Sequence, residues 1–328
     1  MFLYSFLVAL PERQLIRRLR RAVRGKRSVL GIGDDCAILR VPPGQEMLVT
    51  TDFSLEGVHF RRDWQSAECI GHRCLVRGLS DIAAMGGRPM AAFLSLALPA
   101  KLSQRWVDRF FAGLLELANR HEVELAGGDT SQSPGGVLAD ITVVGNAPTG
   151  KALRRSGARV GDRIYVTGAL GESAAALQLL TQKKIRRRDI FPEPRIAVGE
   201  WLVKSGIATS CIDISDGLST DLAHICEESG VGAIVSAAAI PVHPSAGKLH
   251  NALGLALHGG EDYELLFAAA RNARVPAQIA GLQVTRIGEI TSASTVRLSQ
   301  NGTTVALPPT GWEHFRRKPE ERTRRSRR

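Results

Sequence analysis

The chain reads as an α/β protein of two domains, and three observations predict it. At 328 residues it is long enough for two domains of ordinary size. Short apolar or Gly-rich runs repeatedly end in aspartate, at 31–35 (GIGDD), 49–52 (VTTD), 79–81 (LSD), 126–130 (AGGDT) and 211–217 (CIDISDG). Both halves also repeat a grammar of strand, acidic turn and helix. That grammar predicts two related lobes, each with one sheet covered on one face. It also predicts a common rim of carboxylates where strands end.

The elements follow from periodicity and punctuation. Residues 11–24 form a predicted helix that opens at Pro11, with Leu15, Ile16, Leu19 and Val23 on one face. Predicted strands at 29–32 and 47–51 are separated by the PPG turn at 42–44. A helix over 67–85, of less clear period, stops at Gly86-Gly87. A strand over 91–98 ends at Pro99. Ser103 caps a helix running to 121, with Trp106, Phe110, Leu114 and Leu117 at helical spacing. Strands follow at 123–126 and 139–144.

The polar, basic stretch 149–160 marks a boundary between domains at 11–149 and 150–315. Beyond it come a strand at 163–167, a helix at 173–180 and a solvated basic run at 183–188. A helix at 200–205, a strand at 210–214 and a helix at 219–228 follow, with further strands at 231–235 and 265–268.

Both ends read as additions. Residues 1–10 (MFLYSFLVAL) are apolar but short of the ~20 residues that span a bilayer. They lack the basic leader and small-residue cleavage pattern of a signal peptide. An extension ahead of the first helix is expected there, a first strand or helix being the alternative. Residues 316–328 hold eight basic and two acidic residues, and so supply +6 of the formal +11. A solvated, disordered tail is expected, with weak nucleic-acid contact as the alternative. No nucleic-acid-binding motif accompanies it.

Apolar residues make up 44% of the chain and aromatics only 5%, so the cores are expected to be aliphatic. Cys36, Cys69, Cys74, Cys211 and Cys226 are odd in number and lack zinc-ribbon spacing. They read as buried free thiols of a reducing, cytoplasmic compartment, and no membrane association is expected.

Carboxylates gathered without paired cations repel one another, and their pKa values rise. Divalent metal relieves this, and an oxygen-only donor set suits magnesium, which usually arrives with phosphate. The residues therefore predict magnesium-dependent phosphoryl transfer. No Gly-rich run ends in Gly-Lys-Ser or Gly-Lys-Thr, and the HRD and DFG segments of protein kinases are absent. Single positions stay open on spacing alone. Asp34 reads as a turn or N-cap residue rather than a ligand, Asp81 as a ligand or a helix cap, Asp216 as a ligand or a turn residue, and Trp312 as a ligand contact or packing.

GIGDDCAIL, VTTDFSLEGVHF, GLSDIAAMGGRP, GGDTSQSPGG, LRRSGARVGDRIYVTG, CIDISDGLSTDL, GGEDYELLF and GWEHF follow in order across residues 12–315. In this order they resemble the thiamine-monophosphate kinase family of the aminoimidazole ribonucleotide synthetase superfamily. The resemblance implies the two-domain fold of that superfamily, with N-terminal halves sharing a barrel across a homodimer. It implies transfer of the γ-phosphoryl of ATP to thiamine monophosphate, directly and in line, with several magnesium ions.

By matched position, Asp35, Thr50, Thr51, Asp52, Asp81, Asp129, Asp213 and Asp216 resemble metal ligands. Gly128, Asp129, Arg155 and Ser215 match ATP contacts. His59, Glu261 and Trp312 match substrate contacts, and no general base is assigned. Where the family usually carries Lys and Asn before LSD, this chain has Arg73 and Gly78. The alternatives are another enzyme of the superfamily, such as aminoimidazole ribonucleotide synthetase, or a basic nucleic-acid-binding protein.

Overall fold

The computed structural model describes residues 10–23, 28–32 and 35–315. The expected extension (Leu10 apart), Asp34 and the basic tail lie outside the described residues. The first half runs α1 (Glu12–Ala22), β1 (Ser28–Leu30), β2 (Ile38–Leu39), β3 (Gln45–Leu55), α2 (Ala67–Ala84), β4 (Arg88–Pro99), α3 (Gln104–Arg120), β5 (Glu124–Ser133) and β6 (Leu138–Pro148). Four of these strands pair in the order β3-β6-β4-β5, with β4 and β5 parallel and the other pairs antiparallel.

The second half runs β7 (Arg163–Thr167), α4 (Glu172–Thr181), α5 (Ile196–Ser205), β8 (Ala208–Asp213), α6 (Leu218–Ser229) and β9 (Gly232–Ser236). It continues with α7 (Pro244–Gly247), α8 (Ala252–His258), β10 (Leu265–Ala269), β11 (Gln278–Ile279), β12 (Leu282–Thr291), β13 (Val296–Gln300) and β14 (Thr303–Ala306). Its sheet has the order β14-β13-β9-β12-β7-β10-β8, with β11 paired to β12.

Two apolar clusters hold the molecule together. In β10, Leu265, Phe267 and Ala269 join the first cluster, while Leu266 and Ala268 join the second. Tyr165 of β7 and Cys211 of β8 side with the first, and Ile164, Val166 and Ile212 with the second. The second-half sheet is therefore covered on both faces, not on one as its grammar predicted. Burial of every residue of β10 explains this, because a strand buried on both sides reads as a continuous apolar run.

Helix α2 is the keystone. It packs on α3, α5, β3, β6 and β8, and so stands between the two sheets. It is buried on nearly every side, Ile70, Cys74, Leu75, Val76, Leu79 and Ile82 included. This accounts for its blurred period, since a helix enclosed all round has no polar face. The Ser66 hydroxyl accepts from Cys69 N at 3.1 Å and caps its start, as the Ser103 hydroxyl does for α3 from Trp106 N at 3.3 Å.

Other boundaries differ from expectation. Strand β5 does not stop at 126 but runs on through Gly127, Gly128 and Asp129, in parallel register with β4. Gly128 makes this possible: at φ +142°, a Cβ there would stand 2.0 Å from Leu94 O. Asp52 lies inside β3, Asp81 inside α2 and Asp129 inside β5, whereas Asp213 stands at the end of β8. Cys36 is exposed in the loop before β2, whereas the other four cysteines are buried.

Candidate active site

The period of two along β3 divides VTTD between the faces of its sheet. Leu48 and Ser54 are buried on the face that meets α2, and Thr50 and Asp52 share it. The Thr50 hydroxyl donates to Asp81 Oδ2, and Asp52 hydrogen-bonds Asp81. From the other half, Asp213 reaches the same place at the end of β8, where its Oδ2 accepts from Ser80 Oγ at 2.7 Å. Asp52, Asp81 and Asp213 thus meet between the two halves.

Burial pushes all three carboxyls up, and their proximity adds to this at Asp52 and Asp213. Arg155, exposed in the segment joining the halves, acts the other way on Asp81 and Asp213. Among the described residues no three acidic, His or Cys side chains are already gathered at metal-ligating distance. The donor chemistry nevertheless fits magnesium: hard oxygens and an excess of negative charge that burial penalises.

The remaining expected ligands lie elsewhere. Thr51 faces the opposite side of the sheet, where its hydroxyl donates to Asp140 Oδ1 at 2.8 Å. Asp129 and Asp140 both stand in register with Ser95, so these side chains share that outer face. Gly128 and Asp129 also line a cavity of about 600 Å³ with Asp35, Ile16 and Phe93, under α1. The structure brings Asp52, Asp81 and Asp213 together and leaves Asp35, Asp129 and Thr51 apart from them.

Asp216 follows Asp213 in the turn ahead of α6. Its backbone N and that of Gly217 donate to Asp221 Oδ2 at 3.1 and 3.0 Å, which fixes the turn. Burial raises the Asp216 carboxyl, against the nearby His224, His314 and Arg155. Ser215 O accepts from Glu261 N at 2.8 Å, and Asp216 O accepts from Trp312 N at 3.0 Å. GGED and GWEHF are thereby laced onto the same turn.

His59, Trp312 and Glu261 converge beside it. The His59 ring meets that of His314 edge-on at 5.6 Å, and Trp312 Nε1 donates to His314 Nε2 at 3.3 Å. Trp312 keeps about half of its surface open, at 51% exposure. Burial and then Arg77 hold His59 down to about 4, so it is neutral near pH 7, and its Nδ1 accepts from Leu55 N at 3.0 Å. Burial alone would raise Glu261, but Arg73 and Arg77 both pair with it and hold it at about 2. Motif reading missed Ser80, Arg77 and His314; the only signal for Arg77 was its place one helical turn before Asp81.

The family model "AIR synthase related protein, N-terminal domain" matches residues 33–147, and the corresponding C-terminal domain matches 159–300. The thiamine-monophosphate kinase of Escherichia coli K12 is 37% identical over 94% of this chain and 99% of its own length. That of Bacillus subtilis 168 is 35% identical, over 88% and 94%. The chain belongs to the thiamine-monophosphate kinase family. A solved family structure, AaThiL complexed with AMPPCP and TMP, superposes with a TM-score of 0.74 at 32% identity, covering 95% of this chain and 100% of that one.

The two departures from the usual family sequence have local reasons. Arg73 is 5% exposed and pairs with Glu261. Gly78 faces Val143, and a Cβ there would stand 2.6 Å from Val143 Cγ2.

Proposed function

We propose that the protein phosphorylates thiamine monophosphate with ATP, giving thiamine diphosphate and ADP. The carrying observation is the meeting of Asp52, Asp81 and Asp213 between the two halves, with Arg155 acting on Asp81 and Asp213 and with Trp312 held to the neighbouring turn at Asp216. Family membership supports the reading, as does the relative whose structure holds AMPPCP and TMP.

Asp52, Asp81 and Asp213, with the Thr50 hydroxyl, are the residues to hold magnesium, and Asp216 flanks them. Bound there, magnesium supplies charge neutralisation between two phosphate groups that would otherwise repel. Arg155 is exposed beside these carboxylates and suits the phosphates of the nucleotide. Asp35, Gly128, Asp129 and Ser215 remain the proposed contacts for the rest of the nucleotide and its ions. Trp312 offers an open ring face to the thiazolium or aminopyrimidine, and His59 lies beside it. The acceptor oxygen belongs to a phosphate already ionised near pH 7, so no side chain needs to act as general base.

A homodimer through the outer face of the first sheet is part of this proposal. Met47, Val49 and Phe53 stand more than half exposed along β3 on that face, a row of apolar side chains that a partner sheet would cover. No helix among the described residues is long and apolar enough to cross a membrane, and a cytoplasmic location is proposed. The deciding experiment incubates the protein with ATP, magnesium and thiamine monophosphate and detects thiamine diphosphate by mass. Absence of that product, with turnover of a different phosphate acceptor, would replace the proposal.

A further inference from the structure

We infer that Arg77 is the residue that fixes the acceptor phosphate, its guanidinium gripping the substrate phosphomonoester so that it faces Asp52 and Asp81. This rests on the proposed kinase function and names the residue that orients its nucleophile.

Position is the first argument. Arg73, Arg77 and Asp81 follow at intervals of four along α2, so they share one stripe of the helix. At one end of the stripe lies the Asp52–Asp81–Asp213 site. Further back, Arg73 and Arg77 close on Glu261 from the other half. Arg77 stands between the two, its charge felt by Asp52 and Asp216 on one side and by His59 and Glu261 on the other. A phosphate attached to a ring beside Trp312 and His59 has to cross this position to reach the carboxylates.

The hydrogen-bond inventory is the second argument. A guanidinium carries five N–H donors. Arg77 is only 12% exposed, and among the described residues its one hydrogen-bond partner is Glu261, through Nη2. Its Nε is buried and unpartnered, as is the Tyr263 hydroxyl, while Nη1 makes no hydrogen bond to a described residue and is not sealed in. Unspent donors on a buried cation carry a desolvation cost, and an oxyanion removes it. A forked guanidinium with one arm anchored and the other free is suited to a phosphate oxygen. Arg73 is different. Its Nε is likewise buried and unpartnered, but it is only 5% exposed and spends both terminal nitrogens, one on Glu261 and the other, at 3.5 Å, on Ile190 O. Arg73 is thus a positioning residue, and of the two arginines Arg77 is the one that touches substrate.

The test compares thiamine monophosphate with thiamine, which lacks the phosphate. Wild type, Arg77→Gln, Arg77→Lys and Arg73→Gln are titrated calorimetrically with each, without ATP, and their melting temperatures are recorded. Arg77→Gln should weaken thiamine monophosphate by about 30-fold and leave thiamine unchanged, the loss of a charged hydrogen bond. Arg77→Lys should recover part of that loss. Arg73→Gln should keep the wild-type ratio between the two ligands even where it lowers the melting temperature. Equal weakening of both ligands by Arg77→Gln, or the same altered ratio in Arg73→Gln, would make Arg77 a structural partner of Glu261 and overturn the inference. Wild-type turnover reports separately on the function. If wild type forms no thiamine diphosphate, that reading falls, and inorganic phosphate then decides: binding to wild type but not to Arg77→Gln sustains the anion site, and equal binding removes it.

Discussion

Ser80 Oγ donates to Asp213 Oδ2 at 2.7 Å and so ties α2 of the first half to β8 of the second. Ser80 and Asp213 are both buried, at 0% and 3% exposure. The site exists only while the halves keep this spacing. Ser80→Ala should cost about 1–3 kcal/mol, the penalty of a buried carboxyl losing its donor. Thermal unfolding should register this at about 2–4 °C per kcal/mol. The apparent magnesium constant for turnover should weaken by about tenfold, because Asp213 loses the contact that orients it. An unchanged constant would place Asp213 outside the metal site.

Asp81→Asn removes one charge from the centre of the carboxylate group and leaves its shape. Turnover should fall by at least about a hundredfold while the circular dichroism spectrum stays that of wild type. Removing magnesium with a chelator should abolish wild-type turnover, and returning it should restore the rate. A variant with full rate at saturating magnesium would exclude Asp81 as a ligand.

Glu261 gives a pH signature. Its carboxyl is held at about 2 against an ordinary 4.5, so ionised Glu261 stabilises the folded chain. A depressed carboxyl contributes fully above its unfolded value and loses that contribution as pH falls towards the folded one. Wild type should therefore exceed Glu261→Gln in urea midpoint at pH 7, and the gap should close between about 4.5 and 2. A gap independent of pH would mean that the Arg73–Glu261–Arg77 contact contributes nothing through charge.

Trp312→Ala should separate the two substrates. Loss of a stacking face of about 1.4 kcal/mol corresponds to roughly tenfold weaker thiamine monophosphate, with the ATP constant nearly unchanged. Equal losses for both would show that Trp312 serves the turn at Asp216, which its backbone holds, rather than the ligand.

Gly78→Asn would place at this position the residue that the family resemblance leads one to expect. Here it should destabilise the protein by about 1–3 kcal/mol, since the added side chain meets Val143. Unchanged thermal stability would mean that Val143 moves aside at little cost.

The sequence alone determined the elements with strong local signals and the reaction class. Residues 103–121 carry both a cap and a helical stripe, and α3 forms there. The ordered motifs identified the family, because eight of them in register leave little room for accident. Short or weakly periodic segments hid the rest: β2, α7, α8 and β11 to β14 were not predicted, and α2 looked indistinct because it is buried all round. Which carboxylates meet was a tertiary decision. Thr50 and Thr51 are neighbours in sequence, yet the strand period sends one to Asp81 and the other to Asp140 on the opposite face. Asp129 seemed to end a strand, but Gly128 let β5 continue along β4. Glu261 matched a substrate contact by position, and only the packing of α2 against the second half delivered Arg73 and Arg77 to it. Local sequence encodes propensity and turn chemistry over a few residues, whereas contacts between positions 73 and 261 depend on how whole elements pack.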